Sequence, residues 1–498
     1  MFNFVVCKIT LTDMRKLLLC ICLFALSLGA TAGNDRVIAS DVNRHVATRN
    51  VLRAMSLLDN SINKCFDGPT LHMRDLYHLG SGKSEGTADV WPYTAAIEAV
   101  NSVMEALTAL KDTRSDLYDA HMARYKDLLA RLYDNLAYYK GTYTLTSYTQ
   151  TREWSVYGVH RGATKGTAQV EGIENVYDDQ MWIVRELVRA YRNTGDKRYL
   201  DEAEYLTEYI IDGWDCTLDS LGRENGGITW GPGYNSKHSC SNAPIVSPLV
   251  WLADIYKDSK AKTVYRDIAP SGKRKSRKMG KSEYYLSYAK KVYEWQKRKL
   301  LKEETGCYWD MLGADGKMQY ETVGGTRYRK HVPNGKPVGT EFTYNSGTML
   351  CGAADLLVTT GDEAYRADLT SLAKAAYLRF RGNARTIDGS TAYPFPYDRD
   401  TRRGFNAWFD DVLLRAYADS YKHERADEGD GYYSLAVAAC FQTNLDFAYD
   451  HFITDGFLPN DLLGGWGDNT VTKAFFQLAY AADYATLAIM KLGAAAKQ

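Results

Sequence analysis

Residues 178–211, DDQMWIVRELVRAYRNTGDKRYLDEAEYLTEYII, contain two helix patterns separated by a short polar turn. Over residues 181–191, apolar side chains occur around most of the helical circumference, which is typical of a helix buried on nearly all sides. Over residues 197–211 they form a single stripe, which is typical of a helix packed on one side and solvated on the other. The stretch therefore predicts a helical hairpin in which an inner helix is followed by an outer one.

The turn of this hairpin recurs later in the chain. Residues 360–365, Thr-Gly-Asp-Glu-Ala-Tyr, match residues 194–199, Thr-Gly-Asp-Lys-Arg-Tyr, at an offset of 166 (360 minus 194). The same offset places Tyr344-Asn345 opposite Asp178-Asp179, at the head of a second inner helix. Further starts of inner helices are predicted near Trp91, Asn242, Asn406 and Trp466.

Six such hairpins closing on themselves would form an all-α (α/α)6 toroid, a single domain over residues 33–498. The starts of the inner helices would then lie together on one rim. An open helical solenoid fits the periodicity nearly as well. Unequal spacing of the starts and long glycine-rich inserts favour the closed toroid.

The N-terminus predicts export. Arg15-Lys16, an apolar run over residues 17–28 and Ala30-Thr31-Ala32 form the three parts of a signal peptide, residues 1–32, with Met14 as an alternative start. The apolar run is too short for a membrane span, so we expect a periplasmic or extracellular protein without one.

Composition narrows the range of partners. The 61 basic and 61 acidic residues cancel, so no global field favours nucleic acid. The chain is rich in aromatic residues, with 37 Tyr and 10 Trp, and these suit wet binding clefts as well as cores. The six cysteines outside the signal form no Cys-x-x-Cys pair, so we expect buried free thiols rather than a zinc site. We also expect a monomer that needs no cofactor.

Two inserts interrupt the helical pattern. Residues 257–281 hold ten Lys/Arg, which we interpret as a solvated surface loop, a nucleic-acid patch being the alternative. Residues 306–342 contain several turn signals and predict short strands that could roof part of a cleft.

The Asp178-Asp179 pair has two interpretations. Asp is favoured in the first turn of any helix. Retaining glycoside hydrolysis, however, needs two carboxyl groups roughly 5 Å apart, which neighbouring residues at a helix head can provide. A second pair, Asp410-Asp411, aligns about two turns inside its helix, so acidic pairs also occur here without rim placement.

An ordered series of blocks surrounds the first pair and resembles glycoside hydrolase family 76, the bacterial endo-α-1,6-mannanases. The blocks are Val90-Trp-Pro-Tyr93, Tyr177-Asp-Asp-Gln-Met-Trp182, Gly226-Gly-Ile-Thr-Trp230, Cys240-Ser-Asn-Ala-Pro244 and Phe342-Thr-Tyr-Asn-Ser-Gly347. The resemblance covers about residues 50–485. It implies an (α/α)6 fold and retaining cleavage of α-1,6-mannosidic bonds in mannan polysaccharide or oligosaccharide, without a metal. The Lys/Arg-rich insert at 257–281 and the long segment 306–342 depart from a minimal member of the family.

The resemblance also implies roles for particular residues. Asp178 corresponds to the nucleophile and Asp179 to the acid/base. The candidate substrate-binding residues are Trp91, Tyr177, Trp230, Asn242, Tyr344 and Asn345. Core packing of Trp91 and helix capping by Asn242 are equally good interpretations. Trp182 is expected to pack in the inner wall, while Trp408 and Trp466 are further cleft candidates.

Three other functions stay open at this point. A transglycosidase would use the same two aspartates and differ only in the acceptor. A non-catalytic mannan-binding toroid would use the pair merely as a helix cap. A different (α/α)6 hydrolase or lyase would act on another glycan.

Overall fold

The computed structural model describes residues 34–314, 316–394, 406–425 and 432–496, over which the chain forms twelve α-helices. They are α1 (Asn34–Cys65), α2 (Val90–Leu110), α3 (Ser115–Leu136), α4 (Tyr177–Thr194), α5 (Lys197–Asp212), α6 (Val246–Ile255), α7 (Lys281–Leu300), α8 (Thr343–Thr360), α9 (Glu363–Phe380), α10 (Ala407–Ser420), α11 (Tyr433–His451) and α12 (Ala474–Ala496). The predicted signal peptide lies outside the described residues and stays a prediction.

Six of these helices form a closed inner ring. In the order α2, α4, α6, α8, α10 and α12, each packs against the next, and α12 packs against α2 to close the ring. Each inner helix up to α10 is covered by the outer helix that follows it, and α12 is covered by the N-terminal helix α1. The predicted (α/α)6 toroid is confirmed. The helix α1, which completes the outer layer, was not predicted.

The repeated Thr-Gly-Asp turn has the same geometry in both hairpins. Gly195 and Gly361 end α4 and α8 in the left-handed region, with φ of 75° and 69°. The next residue, Asp196 or Asp362, accepts a hydrogen bond from the backbone N–H two residues on, at 3.0 Å in both turns. The glycine relieves the steric cost of positive φ and the aspartate caps the outer helix, so the motif reverses the chain within three residues.

Five of the six predicted starts lie within four residues of the first residue of an observed inner helix. The sixth is wrong, because α12 begins at Ala474 rather than near Trp466. The intervening segment contains a strand, Val471–Lys473, that pairs with Leu76–His78 in an antiparallel ladder. Hydrogen bonding to this distant strand keeps residues 471–473 extended.

The prediction for the second acidic pair is also wrong. Asn406 caps α10 by accepting a hydrogen bond from the Trp408 N–H at 3.1 Å, so Asp410 lies in the first turn and Asp411 follows it. The alignment assumed inner helices of equal length. α10 has 14 residues and α4 has 18, so the pair is nearer the helix head than the alignment implied.

Short antiparallel strands occupy the connections. Outside the two inserts they are β1 (Phe66–Asp67), β2 (His72–Met73), β3 (Leu76–His78), β4 (Lys83–Glu85), β5 (Lys140–Thr146), β6 (Thr151–Tyr157), β7 (Lys237–His238), β10 (Leu301–Lys302), β16 (Arg385–Ile387), β17 (Ser390–Ala392) and β18 (Val471–Lys473). The basic insert is a hairpin of β8 (Lys262–Ile268) and β9 (Arg274–Gly280), more ordered than the predicted loop. The second insert contains β11 (Cys307–Tyr308), β12 (Met311–Leu312), β13 (Tyr320–Val323), β14 (Thr326–Arg329) and β15 (Pro337–Val338), which confirms its predicted short strands.

Charged side chains fill the axis of the inner ring. Glu98 of α2 is buried and accepts hydrogen bonds from Trp408 Nε1 of α10 at 2.8 Å and from Arg185 Nη1 of α4 at 3.1 Å. It also pairs with Arg415 of α10. Burial alone would raise the pKa of Glu98, but the nearby arginines lower it to about 2, so this carboxylate stays ionised.

The cysteines are unpaired, as predicted. Among the described residues, Cys65, Cys216, Cys240, Cys307 and Cys351 are buried free thiols and Cys440 is partly buried. No helix in the described part of the chain is both long enough and apolar enough to span a membrane.

Candidate active site

The first turn of α4 carries both aspartates of the predicted pair. Val176 precedes the helix in an extended conformation (φ −124°, ψ 146°) and makes no side-chain cap. Asp178 and Asp179 are the second and third residues of the helix, where backbone N–H groups lack helical partners and the macrodipole favours negative charge. The end of the helix therefore stabilises a negative charge at both positions. The pKa of each carboxyl depends in addition on the side chains around it.

Tyr177 fixes the head of α4 against its outer helix. Its side chain is buried and its ring centroid lies 5.0 Å from that of Tyr209 on α5. A Cβ atom at Gly213, just after α5, would lie 2.6 Å from the Tyr177 ring, so only glycine fits there. The Tyr177 N–H donates to the Trp230 carbonyl at 2.8 Å. This residue thus joins α4, α5 and the loop that carries Trp230.

The loop of residues 213–242 crosses the head of α4 and brings Trp230 to the pair. Trp230 Nε1 donates to Asp178 Oδ2 at 3.4 Å, and the Trp230 ring stacks on His238 with centroids 4.7 Å apart. Asn242 fixes the backbone of this loop: its side chain accepts a hydrogen bond from the Ile228 N–H at 2.8 Å and donates one to the Ile228 carbonyl at 2.9 Å.

A buried ion pair anchors the same loop. Lys237 Nζ lies 2.9 Å from Asp215 Oδ2 and donates to the Gly226 carbonyl at 2.6 Å. His331 Nδ1 contacts the same Asp215 oxygen at 2.7 Å. Burial raises the pKa of Asp215, but the Lys237 charge and these hydrogen bonds outweigh burial and bring the pKa to about 2. The loop is therefore held by a carboxylate that stays charged at neutral pH.

The two aspartates have different electrostatic surroundings. Burial raises the pKa of Asp178, but hydrogen bonds from the Cys240 thiol, Trp230 and backbone N–H groups of the first turn limit the rise to about 6. Burial raises the pKa of Asp179 further, and the negative charges of Asp178 and Asp89 add to the rise, so the pKa lies well above its usual range. Near neutral pH the pair therefore holds one carboxylate, on Asp178, and one carboxylic acid, on Asp179.

The Cys240 thiol links Asp178 of α4 to the head of α8, two inner helices further round the ring. It hydrogen-bonds with Asp178 and with the hydroxyl of Tyr344, at the head of α8. Burial raises the pKa of the thiol well above its usual value, so Cys240 stays protonated and donates to the Asp178 carboxylate. Cys240 falls in a family-like block, but its role was not predicted, because a lone cysteine carries no signal of its contacts.

A third carboxylate lies on the Asp179 side of the pair. Asp89 precedes α2 and contacts His160 Nδ1 at 2.8 Å, and His160 Nε2 lies 3.8 Å from Glu174. These side chains are partly exposed, so they form a charged edge beside the acid. These residues were not predicted, because they come from separate connections and share no local motif.

Aromatic side chains line the adjoining heads of α2, α8, α10 and α12. The Trp91 ring stacks on Phe409 with centroids 5.6 Å apart and meets Trp408 and Phe475 edge-on at 5.3 and 5.4 Å. Tyr344 extends the cluster, with its ring 4.5 Å from Phe409. Trp91 and Phe409 are only partly buried, so apolar ring surface is available beside the carboxyl pair for the apolar face of a sugar.

The predicted substrate-binding residues divide into two groups. Trp230 and Tyr344 lie beside Asp178, and Trp91 belongs to the aromatic cluster. The others have interior side chains: Tyr177 and Asn242 as described, and Asn345, which is fully buried and donates to the Tyr308 and Thr340 carbonyls at 3.3 Å. These three position the elements around the site, and a direct contact with substrate stays a prediction for all six.

The remaining tryptophans differ in their placement. Trp182 is buried, with its ring 4.8 Å from Trp408, and packs in the inner wall as predicted. Trp408 lies in the aromatic cluster but is itself buried. Trp466 precedes β18 and donates through Nε1 to the Phe452 carbonyl at 2.7 Å, which ties the α11–α12 connection back to the end of α11.

Comparison with protein families gives a direct match. The model described as glycosyl hydrolase family 76 matches residues 130–270 and 276–426, more than half of the chain, including the Asp pair and the loop over it. The chain belongs to glycosyl hydrolase family 76. None of the curated proteins compared with this family 76 chain matches it.

Solved structures share the fold of this family 76 protein. The family 76 mannosidase Bt3792 from Bacteroides thetaiotaomicron VPI-5482 is 21% identical with a TM-score of 0.62, over 89% of this chain and 98% of that one. An inactive variant of the α-1,6-mannanase of Salegentibacter sp. HEL1_6, in complex with α-1,6-mannotriose, is 18% identical with a TM-score of 0.56, over 89% and 99%. That variant carries asparagine in place of two consecutive aspartates. At these identities the likeness establishes the fold.

The Gly226-Gly227 turn sets how closely the Trp230 loop approaches the outer layer of this family 76 fold. Both glycines have positive φ, 72° and 78°. A Cβ at Gly227 would lie 2.4 Å from the ring of Trp295 on α7, too close for any side chain. The packing of Trp295 on bare backbone therefore fixes the loop that places Trp230 against Asp178.

We expect Gly227→Ala to destabilise the protein more than Gly222→Ala. Both substitutions put a side chain at positive φ (78° and 74°), but the Cβ at Gly222 would meet open space. The difference isolates the clash with Trp295, which we expect to lower the free energy of unfolding by about 1–3 kcal/mol. Denaturant unfolding of the two variants measures it, and equal losses would contradict the role given to this contact.

Proposed function

We propose that this protein is a retaining endo-α-1,6-mannanase that uses Asp178 as nucleophile and Asp179 as acid/base. The observation that carries the proposal is the split between two adjacent carboxyls, one ionised and hydrogen-bonded, the other held protonated by burial and by neighbouring negative charge. A retaining glycosidase needs this division of labour before substrate arrives. A helix cap needs neither a protonated acid nor a donor from Trp230.

The relatives support the substrate. A protein of the same family and fold is an α-1,6-mannanase whose inactive form lacks two consecutive aspartates and holds α-1,6-mannotriose. Asp178 and Asp179 are consecutive aspartates at the mouth of the same kind of toroid. Partly exposed rings of Trp91 and Phe409 beside them offer the apolar surface that pyranose faces need.

The first step forms a covalent intermediate. The Asp178 carboxylate attacks the anomeric carbon of an α-1,6-linked mannose, and the bond from that carbon to the departing O6 breaks. Asp179 gives its proton to O6, so the leaving group departs as a neutral hydroxyl. The product of this step is a mannosyl ester on Asp178 and an ionised Asp179.

The second step reverses the roles. Once Asp178 is esterified its negative charge is gone, so one of the causes that raised the pKa of Asp179 is removed. Asp179 can then hold a negative charge and take a proton from water, whose oxygen attacks the anomeric carbon and breaks the ester. One water is consumed, both aspartates return to their first states and the sugar keeps its configuration.

Azide distinguishes the two roles. We expect Asp178→Ala and Asp179→Ala each to slow cleavage of linear α-1,6-mannan by at least about 10²–10⁴-fold. With an aryl α-mannoside of good leaving group, azide should give the β-mannosyl azide in Asp178→Ala, by occupying the place of the nucleophile. In Asp179→Ala it should give the α-azide, by attacking the ester. Products are identified by NMR.

The control is Asp212→Asn. Asp212 is another carboxyl whose pKa is raised, to about 6, but it lies at the end of α5 and accepts from Ser147 and Gln150. Its removal should leave the rate unchanged. Unimpaired mannan cleavage by Asp178→Ala would rule out the proposal. With wild-type enzyme, a ladder of oligosaccharides over time indicates internal cleavage, and release of single sugars alone would rule out the endo assignment.

The pH profile of kcat/KM should be bell-shaped. Activity needs ionised Asp178, so it should fall as the pH drops below about 6, and it needs protonated Asp179, so it should fall again at higher pH. Trp230→Phe removes a donor that lowers the pKa of Asp178, so the acid limb should move to higher pH. Asp212→Asn should leave the profile in place. An acid limb near pH 4, unmoved by Trp230→Phe, would contradict these assignments.

A further inference from the structure

The basic insert stands apart from the rest of this electrically neutral chain. Residues 257–281 contain ten Lys/Arg and two Asp, a net excess of eight positive charges, while the whole chain has none. The segment is the regular hairpin of β8 and β9, paired over seven residues on each strand. Its charges therefore occupy defined positions along a ribbon.

Three of these cations attach the ribbon to the toroid. Lys281 pairs with Glu204 of α5 at 2.6 Å, and Arg266 lies 3.4 Å from Glu208, one turn further along the same helix. Arg274 pairs with Glu321 of β13 at 2.7 Å. The ribbon therefore runs along the outer wall toward the end of α5, with its turn directed at the rim.

The other cations face solvent. Lys262, Lys273, Lys275 and Lys278 are exposed and have no ion pair with any residue that the structure describes, and Arg277 is exposed above the Tyr265 ring at 4.5 Å. Alternate residues of a strand lie about 6.6 Å apart, so Lys275 and Arg277 of β9 form a row of that spacing, and Lys273 extends it just before the strand begins. β9 contains no acidic residue, and the one acid of the hairpin, Asp267 of β8, lies opposite Lys275 without forming an ion pair with it.

Contacts outside the row connect the hairpin to the loops of the active site. Arg274 donates to the Tyr148 carbonyl at 3.1 Å and to Glu321, in the β13–β14 hairpin. From β14, buried Arg329 donates to the Pro232 carbonyl at 3.3 Å and contacts the Tyr234 carbonyl, in the loop of Trp230. The Tyr234 ring lies 4.6 Å from Trp230, which donates to Asp178. The turn of the ribbon is thus joined to the site through one intervening hairpin.

We propose that the exposed row of cations on this hairpin is an accessory binding surface for negatively charged glycans, and that it holds phosphate or carboxylate groups carried by the polysaccharide in the cleft. The inference rests on the proposed function and specifies its substrate class. Lysine ammoniums are compact, mobile point charges, which suit anions spaced irregularly along a flexible polymer better than one rigid ligand. Binding here would raise the local concentration of substrate at the rim.

A nucleic acid is the less favoured partner. The basic row is confined to one ribbon, and the remainder of the chain carries eight more acidic than basic residues. An extended duplex would therefore meet net repulsion beyond the ribbon. A glycan in the cleft is the favoured partner, because the hairpin is connected to the Trp230 loop through the β13–β14 hairpin.

The test uses one polymer in three forms: linear α-1,6-mannan, unmodified, phosphorylated and carboxymethylated. We expect the full-length protein with Asp178→Ala to bind both charged forms about tenfold more tightly than the neutral form at low salt, and the preference to vanish near 0.5 M NaCl. Adding Lys273→Glu and Lys275→Glu should abolish the preference. Adding Lys126→Glu and Lys197→Glu, the same charge change on α3 and α5, should leave it intact.

Several results would overturn the inference. These are no preference for either charged form, equal loss of preference in both double variants, or hairpin-dependent binding of duplex DNA or anionic vesicles without a preference among mannans. Hydrolysis of unmodified mannan by protein with Asp178 intact is measured in parallel with the lysine variants. If no protein hydrolyses mannan but the charge preference is preserved, the proposed function is wrong. If hydrolysis is normal but there is no charge preference, the proposed role of the hairpin is wrong.

Discussion

The buried carboxylate of Glu98 is the interaction on which the toroid's interior depends. It holds three inner helices at one point, through Arg185 of α4 and through Trp408 and Arg415 of α10. Taking a charge out of water is costly unless it is fully paired, so these partners cannot be lost singly. Trp408, oriented by Glu98, packs in turn on Trp182, one turn below the Asp pair. The position of the rim residues therefore depends on the Glu98 cluster inside the ring.

The chemistry of the rim follows from unequal solvation of two neighbouring carboxyls. Asp178 receives hydrogen bonds from Trp230, Cys240 and the backbone, whereas burial and the negative charges of Asp178 and Asp89 raise the pKa of Asp179. Each donor to Asp178 is held from elsewhere: Trp230 by the loop that Asn242 and Asp215 anchor, Cys240 by its burial against Tyr344. The end of the helix alone would stabilise a negative charge on both aspartates. The residues of the surrounding loops separate their pKa values, which fits one as the nucleophile and the other as the acid.

Local pattern predicted much of the fold and the core of the site. The hairpin of residues 178–211, the repeated turn and the Asp pair are contiguous signals, and they anticipated the inner ring. The pairing of α1 with α12 joins opposite ends of the chain, and the strand at 471–473 is ordered by residues near 77, so neither was predicted. Asp89 and Cys240 act through contacts across dozens of residues. The burial of Asn242 and Asn345 was not predicted, because sequence cannot tell which way a side chain points at a loop–helix junction.

The most direct test of the account is the configuration of the first product. During early hydrolysis of linear α-1,6-mannan, ¹H NMR reports the anomer released before mutarotation. We expect the α-anomer first, followed by slow appearance of the β-anomer, because Asp178 and then water each invert the anomeric carbon. Release of the β-anomer first would mean that a single water attacks directly, and would contradict a covalent role for Asp178.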